Sequence, residues 1–406
     1  MISIKQLARA IRGGEPEYVT PSVAPGGFAM ADLDPITLLE RKPRSIDQAA
    51  ARGLISGKRV LITGAGGTIG SELVRQASAF GPAHLTLLDH SEFNLYQIDL
   101  EMRESGRSVS WRNVLADVCR VAHLKRVFRE ARPDIVLHAA AMKHVPMVEE
   151  NACAGAMTNV SGAKNVFDAA IEARAEVVVF ISSDKAVNPT SFMGATKRVA
   201  ELYAQALDVS QNQTRFVTVR FGNVLGSTGS VAPLFQRQIA KGGPVTITHP
   251  EISRYFMTTR EAVQLVLQAA SLDVNKSGVV THDGRIFVLD MGEPVKILDL
   301  AKRMIRLAGL EPGKDIQIEF SGLRPGEKLY EEIFLDSETL VKTGADGVLL
   351  AAPTMIDLPL LNPRLEEVIA HAHNSEEGPM AKAIHHLVPE FRAREDEDEP
   401  RAARKA

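Results

Sequence analysis

"KRVLITGAGGTIGSELVRQASAF", residues 58–80, contains the first clear unit of structure in this chain. RVLIT (59–63) is a short, apolar and β-branched run, which predicts a buried strand. TIGSELVRQASAF (68–80) has apolar residues at helical spacing, and glycines separate it from the strand. A strand, a glycine-rich turn and a helix in this order indicate the opening unit of a dinucleotide-binding α/β fold.

The turn carries three glycines at regular spacing, Gly64, Gly67 and Gly70. The first permits a tight turn, the second lets the backbone approach a pyrophosphate, and the third allows close packing of the helix. Thr68 and Ile69 open the helix, whose unpaired N–H groups would face the phosphates. We therefore predict that these five residues bind a dinucleotide cofactor.

Two acidic residues follow later strand-like runs. Asp89 ends HLTLLD (84–89), where its carboxylate would accept hydrogen bonds from the adenosine ribose and repel a 2′-phosphate. This favours NAD over NADP, although Asp89 at the start of a helix could instead be an N-cap. Asp117, followed by Val118, is a candidate for the adenine edge of the site, again with helix capping as the alternative.

Strands and helices keep alternating as far as Gly222, which predicts right-handed βαβ units and a Rossmann-type, doubly wound parallel sheet of the α/β class. Beyond Gly222 the elements become short and irregular, which favours a smaller C-terminal α/β lobe that binds substrate. We predict four regions: an N-terminal extension (1–55), the NAD-binding domain (56–222, with later segments returning to it), a mainly substrate-binding lobe (223–390) and a disordered charged tail (391–406).

Composition excludes several classes of protein. The formal net charge of the 406-residue chain is −3, so charge gives no reason to expect nucleic acid. Cys119 and Cys153 form no motif, and the histidines are not spaced as metal ligands, so we expect no metal. We find neither a secretory signal nor an apolar run of the roughly 18 residues that a membrane span needs, so we expect a cytoplasmic chain.

The stretch ISSDKAVNPTSFMGATKR (181–198) holds the candidate catalytic residues Ser183, Asp184, Lys185, Met193 and Lys197. In dehydrogenase-like enzymes with such a serine and lysine, a tyrosine normally stands where Met193 is, and methionine cannot accept a proton. An enzyme that eliminates water needs an additional acid–base pair, which Asp184 and Lys185 would supply. The alternatives are an exposed turn at Asp184 and Lys185, a solvated cation at Lys197 and an apolar filler at Met193.

Six stretches in order resemble the extended short-chain dehydrogenase/reductases, and more narrowly the UDP-N-acetylglucosamine 4,6-dehydratases of bacterial polysaccharide and glycan synthesis. They are TGAGGTIGSEL (63–73), HAAAMKHVPMVEEN (138–151), SSDKAVNPTSFMGATKR (182–198), RFGNVLGSTGSVAPLF (220–235), RYFMT (254–258) and RPGEKLYEE (324–332). Methionine in place of tyrosine resembles the long-chain, membrane-linked branch of this family, here without its membrane domain. Members of that branch are expected to retain the configuration at C5.

The resemblance implies a role for each catalytic residue. Asp184 would protonate the C6 hydroxyl, Lys185 would take the C5 proton, and Lys197 would bind the nicotinamide ribose. Ser183 stands where the family often has threonine. The C4 proton would pass to Ser183, Asp184, Lys185 or a water that they hold, because Met193 cannot take it.

The resemblance also implies the binding residues of the two ligands. Ala139 and Ala140 would contact the NAD cofactor. The UDP-sugar would be bound by Lys143, Asn223, Arg254, Arg324 and Glu327. Arg220, Ser227 and His144 are further polar residues at strand exits, and a surface ion pair is the alternative for each charged residue alone.

Two other functions stay open at this point. A UDP-sugar 4-epimerase would use the same cofactor but needs a phenolic base and no elimination acid. A catalytically inactive NAD-binding regulatory protein would explain the missing phenol. By analogy with related enzymes, a homo-oligomer is expected.

Overall fold

The computed structural model describes residues 38–39, 47–272, 283–334, 338–352 and 355–392. Most of the predicted N-terminal extension (1–55) and most of the predicted charged tail (391–406) lie outside the described residues. Within the extension, Asp47 caps helix α1 (Gln48–Ile55) by accepting hydrogen bonds from the backbone N–H groups of Ala49 and Ala50. Helix α1 packs on the main domain.

A nine-stranded sheet forms the centre of the molecule. Its strands are β1 (Arg59–Thr63), β2 (His84–Asp89), β3 (Trp111–Leu115), β4 (Ile135–His138), β5 (Val177–Ile181), β6 (Arg215–Arg220), β11 (Ile286–Leu289), β14 (Thr339–Lys342) and β15 (Val348–Ala352). The order is β3-β2-β1-β4-β5-β6-β11-β15-β14, parallel up to β11 and antiparallel at β15 and β14. The predicted doubly wound parallel sheet is confirmed, and the order reverses between β1 and β4, where such sheets bind ligands.

Helices cover both faces of this sheet, because neighbouring strand residues such as Leu61 and Ile62 point to opposite sides. One apolar core holds Ile62 together with α1, α2 (Thr68–Ala79), α3 (Glu92–Glu104) and α10 (Thr259–Ser271). The other holds Leu61 together with α4 (Val121–Ala131), α6 (Ala152–Ala156), α7 (Gly162–Glu172), α8 (Phe192–Ser210), α12 (Leu358–His373) and α13 (Glu377–Leu387). A short helix α5 (Val145–Glu149) and a π-helical turn (Met157–Ser161) precede α7.

A smaller lobe has its own apolar core around Phe235, Leu300 and Met304. It contains α9 (Val231–Ala240), α11 (Ile297–Leu307) and three short strand pairs, β7 (Asn223–Leu225) with β10 (Phe256–Thr258), β8 (Val245–Ile247) with β13 (Ile318–Phe320), and β9 (Ser253–Arg254) with β12 (Val295–Lys296). Within 223–390, strands β11, β14 and β15 and helices α10, α12 and α13 return to the main sheet.

The longest described helix, α8, is buried over almost its whole length and follows β5 closely in the chain. Ser191 caps it by accepting a hydrogen bond from the Gly194 N–H. Along the described ranges, no helix combines the length and the apolarity that a membrane crossing requires.

Candidate active site

A cleft of about 530 Å³ opens at the carboxyl ends of β1, β4, β5 and β6. Most of the predicted cofactor, catalytic and substrate residues lie together on its wall, although they are scattered along the sequence. They are Gly64, Gly67, Thr68, Ile69, Gly70, Ala139, Lys143, Ser183, Lys185, Met193, Lys197 and Asn223, joined by His144 and Ser227. The topology therefore produces one site from several βα loops.

The glycine loop has no room for side chains at two of the three predicted positions. Gly64 has φ +64°, and a Cβ there would lie 2.8 Å from the Ala140 Cα. A Cβ on Gly70 would lie 1.8 Å from the Gly64 carbonyl oxygen. Helix α2 begins at Thr68, and Gly67 has no side chain that could cap the N–H groups of the first turn. These groups are the donors that a pyrophosphate would bind.

Asp89 supports the glycine loop from behind. Its buried carboxylate accepts hydrogen bonds from the Gly66 N–H and the Ser91 N–H, each at 2.9 Å. Helix α3 begins at Glu92 and is capped by Ser91, whose hydroxyl accepts a hydrogen bond from the Asn94 N–H. The alternative role of Asp89 as a helix N-cap is therefore wrong, and its contact with the ribose stays a prediction.

Three other predicted cofactor residues are not on the wall of the cleft. Asp117 accepts a hydrogen bond from the Cys119 N–H at 2.8 Å and does not cap α4, which starts after Arg120. Val118 is buried against Gly162, and the Ala140 N–H donates to the Thr63 hydroxyl at 3.4 Å. Their contacts with cofactor stay predictions.

Asp184 is fully buried where β5 ends, so the alternative of an exposed turn is wrong. Its Oδ1 accepts hydrogen bonds from the Ser183 hydroxyl and the Lys185 Nζ, both at 2.9 Å. Ser183 also caps the 3₁₀ turn Asp184–Ala186 by accepting from the Lys185 N–H at 3.2 Å. A Cβ at Gly222 would lie 3.0 Å from Asp184 Oδ2, so the next strand exit leaves space for this carboxylate.

Lys185 is the residue that joins two cavities. Besides the cleft, it borders a smaller cavity of about 120 Å³ lined by residues of the RPGEKLYEE stretch, including Arg324, Glu327 and Glu331. Its Nζ lies 3.5 Å from the Glu331 Oε1. Burial acts to lower the pKa of Lys185, but the carboxylates of Asp184 and Glu331 outweigh it and raise the pKa above its ordinary value.

Met193 and Lys197 lie one helical turn apart on the face of α8 that meets the cleft. Both are buried, so Lys197 is not a solvated surface cation. Its Nζ donates a hydrogen bond to the Ile181 carbonyl at 2.8 Å and lies 4.5 Å from the centre of the Phe180 ring. Burial lowers the pKa of Lys197 to about 8.

The predicted substrate arginines differ in their surroundings. Arg324 is exposed beside the smaller cavity. The Arg254 guanidinium is buried and donates to the carbonyls of Ser253 and Lys328, each at 2.7 Å, which ties the RPGEKLYEE stretch to β9. Glu327 Oε1 lies 3.5 Å from Arg254 Nη2. Arg254 thus has a structural contact in addition to its predicted binding role.

Arg220 does not belong to the substrate site. Its guanidinium is fully buried and forms ion pairs with Glu201 at 2.7 Å and Glu338 at 2.9 Å. Arg220 lies at the end of β6 as expected, but its side chain turns into the core between β6, α8 and the segment before β14.

Sequence reasoning missed two buried ionisable residues near the site. Glu331 lies between Lys185 and Arg254, yet nothing in the sequence distinguishes it from the exposed Glu332 beside it. His138 ends β4, and its Nδ1 lies 2.7 Å from the Thr63 hydroxyl. Burial and, to a smaller extent, the charge of the nearby Lys197 lower the pKa of His138 to about 3. Within the described part of the chain, no three His, Cys, Asp or Glu side chains are grouped as metal ligands.

The chain is similar to known proteins. Residues 60–353 match the family model described as polysaccharide biosynthesis protein. The capsular polysaccharide biosynthesis protein CapD of Staphylococcus aureus is 50% identical over 302 residues, which are 74% of this chain and 49% of CapD. The chain spans about half the length of this relative and of a similar Bacillus subtilis protein.

Two relatives that are named as enzymes are less similar. A UDP-N-acetylglucosamine 4,6-dehydratase (inverting) of Campylobacter jejuni is 33% identical over 68% of this chain and 78% of its own length. A UDP-glucose 4-epimerase of Rickettsia akari is 34% identical over 70% of this chain and 80% of its own length.

Solved structures share the fold. Pen from Bacillus thuringiensis is 34% identical, with a TM-score of 0.66, over 74% of this chain and 89% of that one. The dTDP-glucose 4,6-dehydratase DesIV of Streptomyces venezuelae, solved with NAD bound, is 23% identical, with a TM-score of 0.57, over 68% of this chain and 88% of that one. The family match covers well over half of the chain. The chain therefore belongs to the polysaccharide biosynthesis family of extended short-chain dehydrogenase/reductases.

Proposed function

We propose that this protein is an NAD-dependent 4,6-dehydratase that converts a UDP-N-acetylhexosamine, namely UDP-N-acetylglucosamine, into its 4-keto-6-deoxy product for surface polysaccharide synthesis. The observation that carries the proposal is the ion pair between the buried Asp184 and Lys185, which lies where the cofactor cleft meets the smaller cavity. Oxidation alone needs only a base for the hydroxyl proton, whereas elimination of water additionally needs an acid and a base on the substrate. Relatives whose names state a nucleotide-sugar dehydratase or a polysaccharide role support it.

The cleft fits NAD as cofactor. Side chains at Gly64 and Gly70 would fill the space against the loop backbone, and Asp89 holds the loop through the Gly66 N–H. We expect the helix α2 N-terminus to bind the pyrophosphate and Lys197 to bind the nicotinamide ribose. When bound, NAD supplies the reversible oxidation at C4 of the sugar.

In the proposed mechanism the Ser183 hydroxyl removes the C4 hydroxyl proton in place of the missing tyrosine. Ser183 already donates its own proton to Asp184 Oδ1. One lone pair of its oxygen accepts a hydrogen bond from the Lys185 N–H, and the second lone pair is free to accept the substrate proton. A proton accepted at Ser183 would therefore pass to Asp184. The same proton then protonates the C6 hydroxyl as it leaves as water, so the proton balance closes within this pair.

Lys185 would take the C5 proton and return a proton to C5 after water has left. In the resting site both Asp184 and Glu331 favour its charged form. To act as the base, the amine must first release its own proton to solvent. Protonation of Asp184 in the first step favours this release, because it removes one of the two charges that hold the proton on Lys185. Asn223, whose Oδ1 lies 3.4 Å from the Lys185 Nζ, helps to orient the amine.

The test is to incubate the protein with UDP-N-acetylglucosamine and NAD in deuterated water. We expect a product lighter by one water, with deuterium at C5 and, by resemblance to the methionine branch, retained C5 configuration in the NMR spectrum. If the protein produces no dehydrated sugar while NAD binds, the proposed activity is refuted. An inverted C5 would refute only the stereochemical part.

A 4-epimerase is the second candidate, because the chain has a UDP-glucose 4-epimerase among its relatives. Met193 lacks the phenol that this reaction uses as its base, which favours dehydration. Formation of UDP-N-acetylgalactosamine without a 4-keto sugar would reverse the choice. Absence of any turnover would favour the inactive regulatory protein.

A homo-oligomeric state and a cytoplasmic location stay predictions.

A further inference from the structure

Glu331 is a buried carboxylate at the junction of the two cavities. Its Oε1 lies 3.5 Å from the Lys185 Nζ and 3.6 Å from the Arg254 Nε, and only 4% of its side chain is exposed. The adjacent Glu332 is half-exposed and contacts Lys328 and Asn188 instead. Of these two neighbours, Glu331 therefore faces the inside of the site and Glu332 faces outward.

Lys185 lies between two carboxylates that are both withdrawn from solvent. Among the described residues, Asp184 Oδ2 and Glu331 Oε2 have no hydrogen-bond partner, although both atoms are buried. A buried carboxylate that lacks part of its donor set costs stability, so a functional reason for keeping it is expected. Both carboxylates that lack a hydrogen-bond partner lie beside the Lys185 amine. We therefore expect the functional reason to lie in the chemistry of Lys185.

We propose that Glu331 is a positioning residue of the dehydration, which holds the Lys185 amine at the junction of the cavities and sets how readily it releases a proton. This inference rests on the proposed function. Four charged groups act on Lys185: Asp184 and Glu331 favour its cation, whereas Arg254 and Lys143 oppose it. Once Asp184 has taken up the C4 proton, Glu331 is the remaining charged carboxylate within 4 Å of the amine among the described residues.

The consequence is a specific pH dependence. Loss of the Glu331 charge removes a stabilising partner of the cation, so the neutral, basic form of Lys185 becomes populated at lower pH. A purely structural role would lower the rate at every pH without moving the profile. The direction of the shift therefore separates the two roles.

The experiment measures kcat and C5 proton exchange against pH for the full chain with NAD and UDP-N-acetylglucosamine. In Glu331→Gln we expect the rising limb of both profiles to move to lower pH by about one unit, the usual effect of one nearby carboxylate, while the plateau falls. Glu331→Asp keeps the charge and should keep the limb near its wild-type position. The control is Glu332→Gln, which changes the charge of the same loop equally and should leave the profile unchanged.

A second measurement keeps the two proposals distinguishable. The proton affinity of Lys185 is followed by NMR titration of ¹³C-labelled lysine, with Lys185→Arg used to assign the signal. We expect its midpoint to fall in Glu331→Gln. An unchanged midpoint, or a lower plateau with an unshifted limb, would overturn the inference. Absence of dehydration by the wild-type protein would instead overturn the proposed function.

Discussion

Ser183 is the residue through which we propose that this site works without a tyrosine. Its hydroxyl lies between the cleft and the buried Asp184, and the hydroxyl oxygen is 2.9 Å from Asp184 Oδ1. Met193 is 2% exposed and lies on the cleft wall. Its thioether can neither accept nor donate the C4 proton, so it can only exclude water there. In the proposed mechanism the proton route therefore depends on one hydroxyl rather than on a phenol and a lysine.

We predict that Ser183→Ala lowers kcat by about 10²- to 10⁴-fold, the usual contribution of a positioned proton-transfer group. Ser183→Thr keeps the hydroxyl and should stay within about tenfold of wild type on the same scale. The measurement is the rate of 4-keto sugar formation at saturating substrate, with NAD affinity as the control. Near-wild-type turnover by Ser183→Ala would show that another group takes the C4 proton.

At the scale of elements, the turn between β1 and α2 is the predicted binding element for the cofactor. We predict that Gly70→Ala weakens NAD binding by at least about tenfold, because its Cβ would lie 1.8 Å from the Gly64 oxygen and would displace the donors of the helix N-terminus. Gly53→Ala in α1 is the control, since nothing lies within 4 Å of its Cβ. Calorimetric titration with NAD measures both, and equal affinities would contradict the role of the loop.

The contact between β1 and β4 makes the fold sensitive to acid. His138 is buried, and its pKa is lowered to about 3, below the roughly 6.5 of an unfolded chain. Between these values the unfolded state binds the extra proton. Stability is therefore lost as pH falls from about 6.5 toward 3, by about 1.4 kcal/mol per pH unit.

The test compares urea unfolding of the wild-type protein and His138→Gln from neutral pH down to about pH 4. Glutamine can still meet the Thr63 hydroxyl but does not titrate. We expect the variant to have a shallower slope of unfolding free energy against pH. Parallel slopes would mean that other groups control the acid sensitivity.

For the whole molecule, the buried ion pairs of Arg220 connect distant parts of the chain. Arg220 on β6 contacts Glu201 on α8 and Glu338, which is 118 residues further along. We predict that Glu338→Ala lowers the free energy of unfolding by about 3 to 5 kcal/mol, because a buried charge loses a partner. Glu332→Ala, at an exposed site, is the control, and denaturant unfolding checks both. Equal stability of the two variants would contradict the prediction.

Local sequence patterns predicted the first part of the fold closely. The predicted strands 59–63 and 84–89 have the bounds that the structure shows. The apolar run NVLA (113–116) indicates only part of the third strand, which spans Trp111–Leu115 and begins with less apolar residues. Strands β14 and β15 and helices α12 and α13 were not predicted. Helix α12 contains Pro363, which normally argues against a helix interior, and its packing on α8 outweighs this.

The sequence by itself determined the alternation of strands and helices, the glycine loop, the family and the catalytic stretch, because each depends on residues that are close along the chain. Only the tertiary structure decided which charged residues reach the site. Arg220 points into the core, Arg254 is bound to backbone carbonyls, and Glu331 rather than Glu332 faces Lys185. The physical reason is that burial and ion pairing between distant segments arise when the two lobes pack, and no local spacing encodes them.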